Sequence, residues 1–318
     1  MVVPEFSPAP EAPVLVIGAA GVDLIGRIKG ELVMGISNPS RIRRTFGGVA
    51  RNIAENLACL GQPVTLITAV GEDHWGESLI QQVASTGVDV SAVLRTPDRP
   101  TGSYLAVLND RGELQFALDD MRSVAAISPA FLKEHAELFA NASMLFIDAN
   151  LPKETIRTAV SMAHKAHLPI GADPTSVSLA PKLMPYLPKL HLIIPNSIEA
   201  GILCGRTIDP SKRRQTIEAA KCLVNQGVEI AIIALAQFGL CYATSETSGH
   251  IPAIRTEVID PTGVGDAMTA AVIFALLNDI PLDDAVRLGV SAATLTLRYP
   301  GAVVPDLTLE KLYDQLVI

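Results

Sequence analysis

Short apolar runs alternate with longer, mostly amphipathic stretches along this chain. Each run holds six to eight residues, mainly aliphatic or β-branched, which is the pattern of a strand buried on both faces of a parallel sheet. The runs lie at 14–20, 64–70, 144–150, 168–174, 191–196 and 229–236. The stretches between them predict helices at 48–61, 76–87, 152–167, 197–204, 212–226, 267–277 and 282–297. Strands that alternate with helices predict the α/β class with a mostly parallel central sheet.

Two segments break this alternation. Residues 23–46 hold several short β-like runs, and residues 104–118 hold two runs around Asn109-Asp110-Arg111-Gly112, which is a hairpin signal. We therefore predict a small β-sheet lid, formed by about 22–46 and 95–121, over the main sheet. Residues 13–318 are predicted to form a single domain, preceded by a flexible, proline-rich lead-in at 1–12.

Composition excludes several classes of function. The chain has 318 residues, of which 49% are apolar, and its formal net charge is −8. An acidic chain without a basic tract argues against nucleic acid as a partner, and the basic cluster at 41–44 is predicted to be a solvated strand face. No apolar run is long enough to cross a bilayer and the N-terminus does not resemble a signal peptide, so we expect a cytoplasmic protein with no membrane partner.

The four cysteines indicate neither a zinc site nor a redox motif. None of them forms a CxxC pair, and each stands in an apolar setting, so each is expected to be a small buried hydrophobic residue. Free thiols suit a reducing compartment. The cysteines are Cys59, Cys204, Cys222 and Cys241.

Polar residues recur where the predicted strands end. In open α/β sheets, ligands bind beyond the carboxyl ends of the strands, so these positions are candidates for a site. They lie at 18–23, 47–52, 148–150, 173, 196–199 and 260–266. Asp148, Asn150 and Asp173 could line a nucleotide cleft or only cap the helix that follows, and the sequence leaves both alternatives open.

The stretch "VIDPTGVGDAMTAAVIFALL" (258–277) places Gly263, Gly265 and Asp266 where a helix should begin. Glycine weakens a helix by about 1 kcal/mol relative to alanine, which indicates a purpose for bare backbone there. Backbone N–H groups and the helix dipole favour an anion, which predicts a cradle for a phosphoryl group in transfer. Asp266 would stay ionised at the helix N-terminus and accept a hydroxyl proton. The alternative is a plain turn with Asp266 as an N-terminal helix acid.

Three motifs carry a resemblance to a known family. "DPTGVGDAM" (260–268) resembles the DTxGAGD signature of the ribokinase-like, or PfkB, family of sugar and nucleoside kinases. "GGVARN" (47–52) is similar to that family's Gly-Gly pair followed by Asn, and "PNSIEA" (195–200) is similar to its N-x-x-E. The resemblance extends from Val14 onward. It implies a three-layer α/β/α fold with a β-sheet lid, a phosphotransferase activity, and ATP and Mg²⁺ as cofactors. Many relatives also bind a monovalent cation, which leaves that requirement open here.

Within the family, four segments most resemble the bacterial pseudouridine kinases. They lie at 18–26, 47–61, 69–79 and 101–121. The resemblance implies phosphorylation of the 5′-hydroxyl of a riboside, with pseudouridine converted to pseudouridine 5′-phosphate. One alternative is a related kinase for ribose, adenosine or inosine, and another is a ligand-binding relative without catalysis. The implied partners are the riboside and ATP, together with a second copy of the chain, because lid edges in this family pair between subunits.

The resemblance also implies roles for individual residues. Asp266 would be the catalytic base, and the backbone at 263–265 would form the anion hole. Asn196 and Glu199 would organise Mg²⁺, through water, and the ATP phosphates. The other implied contacts are Asp23, Gly47, Gly48 and Asn52 with ribose; Ser103, Tyr104, Asp120 and Met121 with the base; Gly263, Val264 and Gly265 with the phosphoryl group; and Gly239 with the nucleotide.

The chain departs from the family pattern at four positions. Val264 replaces the alanine of GAGD, but its backbone N–H is retained. Gln237 and Phe238 stand where a glycine-rich nucleotide turn is usual, which puts the ATP-site geometry in question. Gly21 stands where many relatives have asparagine, so one sugar contact would be missing.

Overall fold

The computed structural model describes residues 11–316, and the predicted lead-in at 1–12 therefore lies almost entirely outside the described residues. The strands, in chain order, are β1 (Val14–Ile17), β2 (Gly21–Ile28), β3 (Ser40–Gly47), β4 (Val64–Ile67), β5 (Ala69–Gly71), β6 (Leu94–Thr96), β7 (Gly102–Leu108), β8 (Leu114–Asp120), β9 (Met144–Asp148), β10 (Ile170–Asp173), β11 (Leu192–Ile193), β12 (Ile230–Ala234), β13 (Leu240–Ala243) and β14 (Ser248–Ile251).

The helices are α1 (Val49–Cys59), α2 (His74–Ser85), α3 (Pro129–Glu134), α4 (Ala136–Ala140), α5 (Lys153–Lys165), α6 (Ser197–Cys204), α7 (Arg213–Asn225), α8 (Val264–Leu277), α9 (Leu282–Leu297) and α10 (Leu309–Asp314). Short 3₁₀ helices occur at Arg122–Ala126, Ala180–Lys182, Met184–Lys189 and Ala236–Phe238. Within residues 11–316, every helix is too short or too polar to span a membrane.

Eight strands form the central sheet, in the order β14-β13-β12-β11-β10-β9-β1-β4. The strands from β12 to β4 are parallel, and β13 and β14 join them antiparallel. Both faces are buried, because alternate residues of one strand enter different cores: Leu15 and Ile17 pack with α5 and α7, while Val14 and Val16 pack with α1, α8 and α9. The predicted α/β fold with three layers is confirmed.

A second, four-stranded sheet has the order β3-β2-β7-β8 and comes from the two segments that break the alternation. Strands β2 and β7 are parallel, and the outer pairs are antiparallel. The hairpin turns at Gly112, which has a φ of 83°. A left-handed φ of this kind suits glycine. We call this four-stranded sheet the small sheet.

Several elements differ from the sequence-based predictions. The run at 64–70 is two strands, because the chain leaves the central sheet after Ile67 and Ala69–Gly71 pairs with Leu94–Thr96. The short helices α3 and α4 were not predicted from periodicity, since neither has two full turns to display one. Helix α8 begins at Val264 rather than at 267.

The prediction that all four cysteines are buried is wrong for three of them. Cys241 is buried in β13, whereas Cys59, Cys204 and Cys222 are partly exposed, and all four thiols are free. Each of the three partly exposed cysteines lies in a helix that packs one face on the sheet, so a small side chain near the edge of the apolar stripe stays within reach of solvent.

Candidate active site

The first turns of α1 and α8 lie side by side at the carboxyl edge of the central sheet, beneath the small sheet. The two turns are joined by a hydrogen bond from Asn52 Nδ2 to Asp266 Oδ2, with a length of 2.6 Å. Asp23 of β2 lies over the start of α1, because its carboxylate packs against Gly47. Residues far apart in the chain therefore converge on one place, as the rule for open α/β sheets predicts.

The start of α8 is shaped by its two glycines. Gly263 has a left-handed φ of 73°, and a Cβ there would lie 2.3 Å from the backbone oxygen of Ala302, so only glycine fits. Gly265 differs, because a Cβ at this position would meet no atom within 4 Å. Its missing side chain leaves open space over the first turn of a 14-residue helix. That space suits an anion held by backbone N–H groups.

Asp266 is a carboxylate suited to accepting a proton near neutral pH. Burial raises its pKa to about 7, although the hydrogen bond from Asn52 and the charge of Arg51 act to lower it. Near neutral pH, Asp266 of the free protein is therefore divided between its ionised and protonated forms, because burial opposes the ionisation expected at a helix N-terminus. A general base works best when its pKa lies close to the working pH.

Asp23 and the Gly47-Gly48 pair form the opposite side of the site. A Cβ on Gly47 would lie 2.2 Å from each carboxylate oxygen of Asp23, so the absence of a side chain makes room for that carboxylate. Gly48 has a φ of 96° and packs against the backbone of Ala19. Burial raises the pKa of Asp23 to about 6, and Arg51 opposes this shift.

The small sheet presents some of the predicted base-contacting residues towards Asp23 and turns others away. Asp23 pairs with Tyr104, which pairs in turn with Asp119, so all three side chains share one face. Ser103 and Asp120 are one residue out of phase and lie on the opposite face. Asp120 there forms a surface ion pair of 2.6 Å with Arg122. The sequence could not show this, because one residue of register reverses every side chain in a strand.

Met121 follows the end of β8 and remains near the site. Its sulfur lies 2.7 Å from the position that a Cβ on Gly102 would take. The same close packing explains the departure at Gly21, where a Cβ would lie 2.6 Å from the Gly102 oxygen. An asparagine at residue 21 would require β2 and β7 to move apart.

Asn196 and Glu199 form a capping box at the start of α6. Asn196 Oδ1 accepts from the backbone N–H groups of Ile198 and Glu199, at 2.9 and 3.0 Å, and Glu199 Oε2 accepts from the Asn196 N–H at 2.9 Å. The local reason for the N-x-x-E motif is therefore a helix cap. Glu199 is buried, which raises its pKa, and the hydrogen bonds with Asn196 act against that rise.

Asp173 is a member of the site that the sequence left undecided. Burial raises its pKa well above the usual value, and the charges of Glu199 and Asp266 raise it further. Asp173 therefore lies within electrostatic range of Glu199 and of Asp266. Within residues 11–316, no group of three or more His, Cys, Asp or Glu side chains is arranged as a ready metal site. A cation held partly through water would relieve the repulsion.

Asp148 is a structural residue rather than a cleft residue. It is fully buried, and its Oδ2 accepts from the backbone N–H groups of Ala19 and Ala50 at 2.7 and 3.2 Å. Its other oxygen accepts from the N–H of Asn150 at 2.9 Å. Asp148 therefore joins the ends of β1 and β9 to the first turn of α1.

The altered turn at 236–239 keeps a defined backbone. Gly239 has a φ of 92°, and a Cβ there would lie 2.1 Å from the backbone oxygen of Ile251. Phe238 packs against the core on one face of the sheet, while Gln237 is exposed. Gly239 thus has a structural reason to be glycine, independent of any nucleotide.

Two arginines near the site were not predicted from the sequence. Arg43, in the cluster at 41–44, forms an ion pair with the buried Asp260 and so links β3 to the segment that precedes Gly263. Arg51 is buried within α1 and pairs with Glu55. The burial of Arg51 has no signal in the sequence of α1, where a charged side chain is normally assigned to the solvent face.

Comparison with known proteins identifies the family of this chain. A model of the pfkB family carbohydrate kinases matches residues 12–309. The pseudouridine kinase of Escherichia coli (strain K12) is 33% identical over 297 residues, which is 93% of this chain and 94% of that protein. The guanosine-inosine kinase of Exiguobacterium acetylicum is 26% identical over 297 residues, which is 92% of this chain and 97% of that protein.

Solved structures show the same fold. Arabidopsis thaliana ribokinase complexed with ribose and ATP superposes with a TM-score of 0.84 at 21% identity, covering 96% of this chain and 99% of that one. A carbohydrate kinase from Agrobacterium tumefaciens superposes with a TM-score of 0.81 at 28% identity, covering 96% and 97%. The family that the three motifs resemble is thus confirmed over nearly the whole chain, which belongs to the pfkB family of carbohydrate kinases, with a ribokinase-like fold.

Proposed function

We propose that this protein transfers the γ-phosphoryl group of ATP to the 5′-hydroxyl of a riboside, and that the riboside is pseudouridine. The observation that carries the proposal is the Asn52–Asp266 hydrogen bond at the start of α8, beside the open face of Gly265. This arrangement supports the proposal, because a carboxylate with a pKa of about 7 stands beside backbone N–H groups that could hold a phosphoryl group.

The acceptor side of the site suits a ribose. Asp23 offers two carboxylate oxygens, which can accept from vicinal hydroxyl groups. Asn52 Oδ1 and Thr45 Oγ1 are buried and have no hydrogen-bond partner among residues 11–316. Thr45 pairs with Asp23 across β2 and β3, so its hydroxyl lies on the same face. A buried polar atom without a partner is costly, and ligand hydroxyl groups would satisfy both atoms.

The transfer step uses Asp266 and the first turn of α8. Asp266 takes the proton of the 5′-hydroxyl while that oxygen forms a bond to the γ-phosphorus and the bond from the γ-phosphorus to the bridging oxygen breaks, releasing ADP. The N–H groups of Val264 and Gly265 face the charge that develops on the transferred group. Gly263 holds this turn in a conformation that other residues rarely adopt.

Mg²⁺ fits the acidic side of the site. Asp173 and Glu199 would hold it through water, as would Asn196, because the charge of a cation offsets the repulsion that raises the pKa of Asp173. When bound, the ion neutralises charge on the phosphates. Gly239 and the turn at 236–239 would pack against the nucleotide.

The small sheet would act as a lid. Its face with Asp23, Tyr104 and Asp119 covers the acceptor side, and closure over the substrate would exclude water and so limit hydrolysis of ATP. Met121 would contact the base at the edge of the same sheet. Ser103 and Asp120 would contribute only if the face that carries them met a second subunit.

The opposite face of the small sheet supports a homodimer. It exposes large apolar side chains on neighbouring strands, namely Ile42, Leu105, Phe116 and Leu118. Strands β3 and β8 are also open edges. Light scattering at micromolar concentration is expected to give twice the monomer mass, and Phe116→Glu with Leu118→Glu is expected to give the monomer mass.

An acceptor panel tests the substrate. ADP release is measured with ATP and Mg²⁺ in the presence of pseudouridine, uridine, adenosine, inosine or ribose. We expect kcat/KM to be highest for pseudouridine, as the 33% identical relative supports. Preference for another acceptor would overturn the substrate and keep the kinase. Binding of pseudouridine without ADP release from any acceptor would favour a ligand-binding relative in which the turn at 236–239 no longer serves ATP.

A further inference from the structure

A fully enclosed ion pair lies directly behind the acceptor side of the site. Arg51 and Glu55 are one helical turn apart in α1, and their side chains are 2% and 1% exposed. Arg51 Nη1 donates to Glu55 Oε2 at 2.6 Å, and Arg51 Nε donates to the backbone oxygen of Gly47 at 3.3 Å. The guanidinium thus bridges the helix and the turn that makes room for Asp23.

Stability alone does not account for this pair. Burying two charges costs about as much as their attraction returns, and apolar side chains of similar volume often serve the fold as well or better. Glu55 Oε1 and the neighbouring Asn56 Oδ1 are also buried with no partner within residues 11–316. Polar groups retained at such a position are candidates for a role in the site.

The charge of Arg51 acts on both carboxylates of the proposed site. It favours the ionised form of Asp23 and of Asp266, against the burial that opposes ionisation. The next residue in the chain, Asn52, is the direct hydrogen-bond donor to Asp266. One turn of helix therefore supplies both a contact and a buried positive charge to the base.

We propose that Arg51 is a positioning residue of the phosphoryl transfer: it holds the Gly47 turn in place for the acceptor, and its charge keeps Asp266 able to take a proton. Glu55 orients the guanidinium and prevents it from turning towards Asp23. This inference rests on the proposed function and adds a residue that does not itself touch the substrate.

Other charged groups face the same carboxylates and set the background against which Arg51 acts. Asp23 and Asp148 oppose the ionisation of Asp266, and Asp266 and Asp173 oppose the ionisation of each other. Asp260 opposes and Arg43 favours the ionisation of Asp23. These groups belong to other elements and stay unchanged when α1 is altered, so a shift measured in an α1 variant reports on the Arg51–Glu55 pair.

The test compares three variants with the wild-type protein. Arg51→Met with Glu55→Gln removes both charges and leaves no lone buried ion. Arg51→Lys keeps the charge but cannot bridge Gly47 and Glu55 as a planar fork does. Arg287→Met is the matched control, because Arg287 forms an exposed i,i+4 pair with Asp283 on α9. kcat and KM are measured from pH 5.5 to 9 with the preferred acceptor.

Without the charge of Arg51, the acidic limb of the pH profile of kcat/KM is expected to move up by about one pH unit. At pH 6 this shift lowers kcat/KM about tenfold, and the difference from the wild type shrinks above pH 8. KM for the acceptor is expected to rise about fivefold or more, with KM for ATP little changed. Arg51→Lys is expected to keep the wild-type limb and to raise KM for the acceptor. Arg287→Met should match the wild type throughout.

A neutral double variant with the wild-type acidic limb and the wild-type acceptor KM would overturn the proposal and leave Arg51 a packing residue. If the neutral variant does not fold, an Arg51→Lys variant with an unchanged acceptor KM would overturn it equally. A ¹³C-carboxyl titration of Asp266, assigned with Asp266→Asn, gives a readout that needs no turnover. A higher midpoint in the neutral variant supports the proposal even if no riboside is phosphorylated, so this inference and the proposed function can fail separately.

Discussion

Removing the charge of Asp266 should make the free protein more stable above neutral pH, although it removes the proposed base. Burial raises the pKa of Asp266 from 3.8 to about 7, so the folded protein holds this proton more tightly than the unfolded chain does. Between these two values the unfolded chain loses the proton first. Stability therefore falls as pH rises through this window, and the full penalty is present above pH 7.

The size of this change in stability follows from the shift in the pKa of Asp266. Three pH units correspond to ~4 kcal/mol, an upper value because Asp266 is only partly enclosed. Asn in place of Asp carries no such penalty, and its Oδ1 can still accept from Asn52. We expect Asp266→Asn to gain stability over the wild type, by an amount that grows by roughly 2–3 kcal/mol between pH 5 and pH 8.

Urea unfolding at pH 5, 6, 7 and 8 measures this difference directly. Asp110→Asn, at the exposed tip of the β7–β8 hairpin, is the matched control and should show no growing difference. A gain for Asp266→Asn that is constant with pH, or a loss at pH 8, would refute the argument that burial dominates the ionisation of this residue.

Three further outcomes are expected. Gly47→Ala should raise KM for the acceptor by roughly 10–100-fold, because its Cβ would lie 2.2 Å from both carboxylate oxygens of Asp23. An unchanged KM in a steady-state assay would show that Asp23 does not bind the acceptor. Gly265→Ala should fold normally, because its Cβ meets nothing within 4 Å, but it should lower kcat by about 100-fold because the methyl group fills the anion site. A calorimetric melt and a kcat measurement check this together, and a wild-type kcat would contradict it. For the wild type, log kcat/KM should rise with pH and level off above about pH 7, because only ionised Asp266 accepts a proton; a profile flat from pH 5.5 to 8 would exclude Asp266 as the titrating base.

Sequence periodicity predicted the helices that bury one apolar face against the rest of the protein. Helices α6 and α9 have the predicted bounds, because their apolar stripes and end signals agree. Periodicity failed at the start of α8, because the helix follows the left-handed Gly263 and begins at Val264, three residues before the apolar run. It also missed the break after Ile67, because two successive buried strands read as one apolar run.

The candidate site was partly readable for similar reasons. Motifs at turns, such as Gly47-Gly48 and 263–266, depend on local backbone geometry, and a glycine in the sequence indicates where that geometry is unusual. The face of the sheet on which Ser103 and Asp120 lie depends on strand register. The hairpin sequence does not fix that register to within one residue. The role of Arg51 depends on burial by distant elements, and no pattern within α1 distinguishes a buried arginine from a solvated one.

The central claim is that Asp266 takes the acceptor proton during phosphoryl transfer, and one measurement addresses it most directly. The rate of phosphorylated riboside formation is followed by ³¹P NMR at pH 8 for the wild type and Asp266→Asn, with the preferred acceptor, ATP and Mg²⁺. The account predicts a riboside 5′-phosphate from the wild type and a rate at least about 100-fold lower from a folded Asp266→Asn protein that still binds the acceptor. Comparable rates from the two proteins would contradict it.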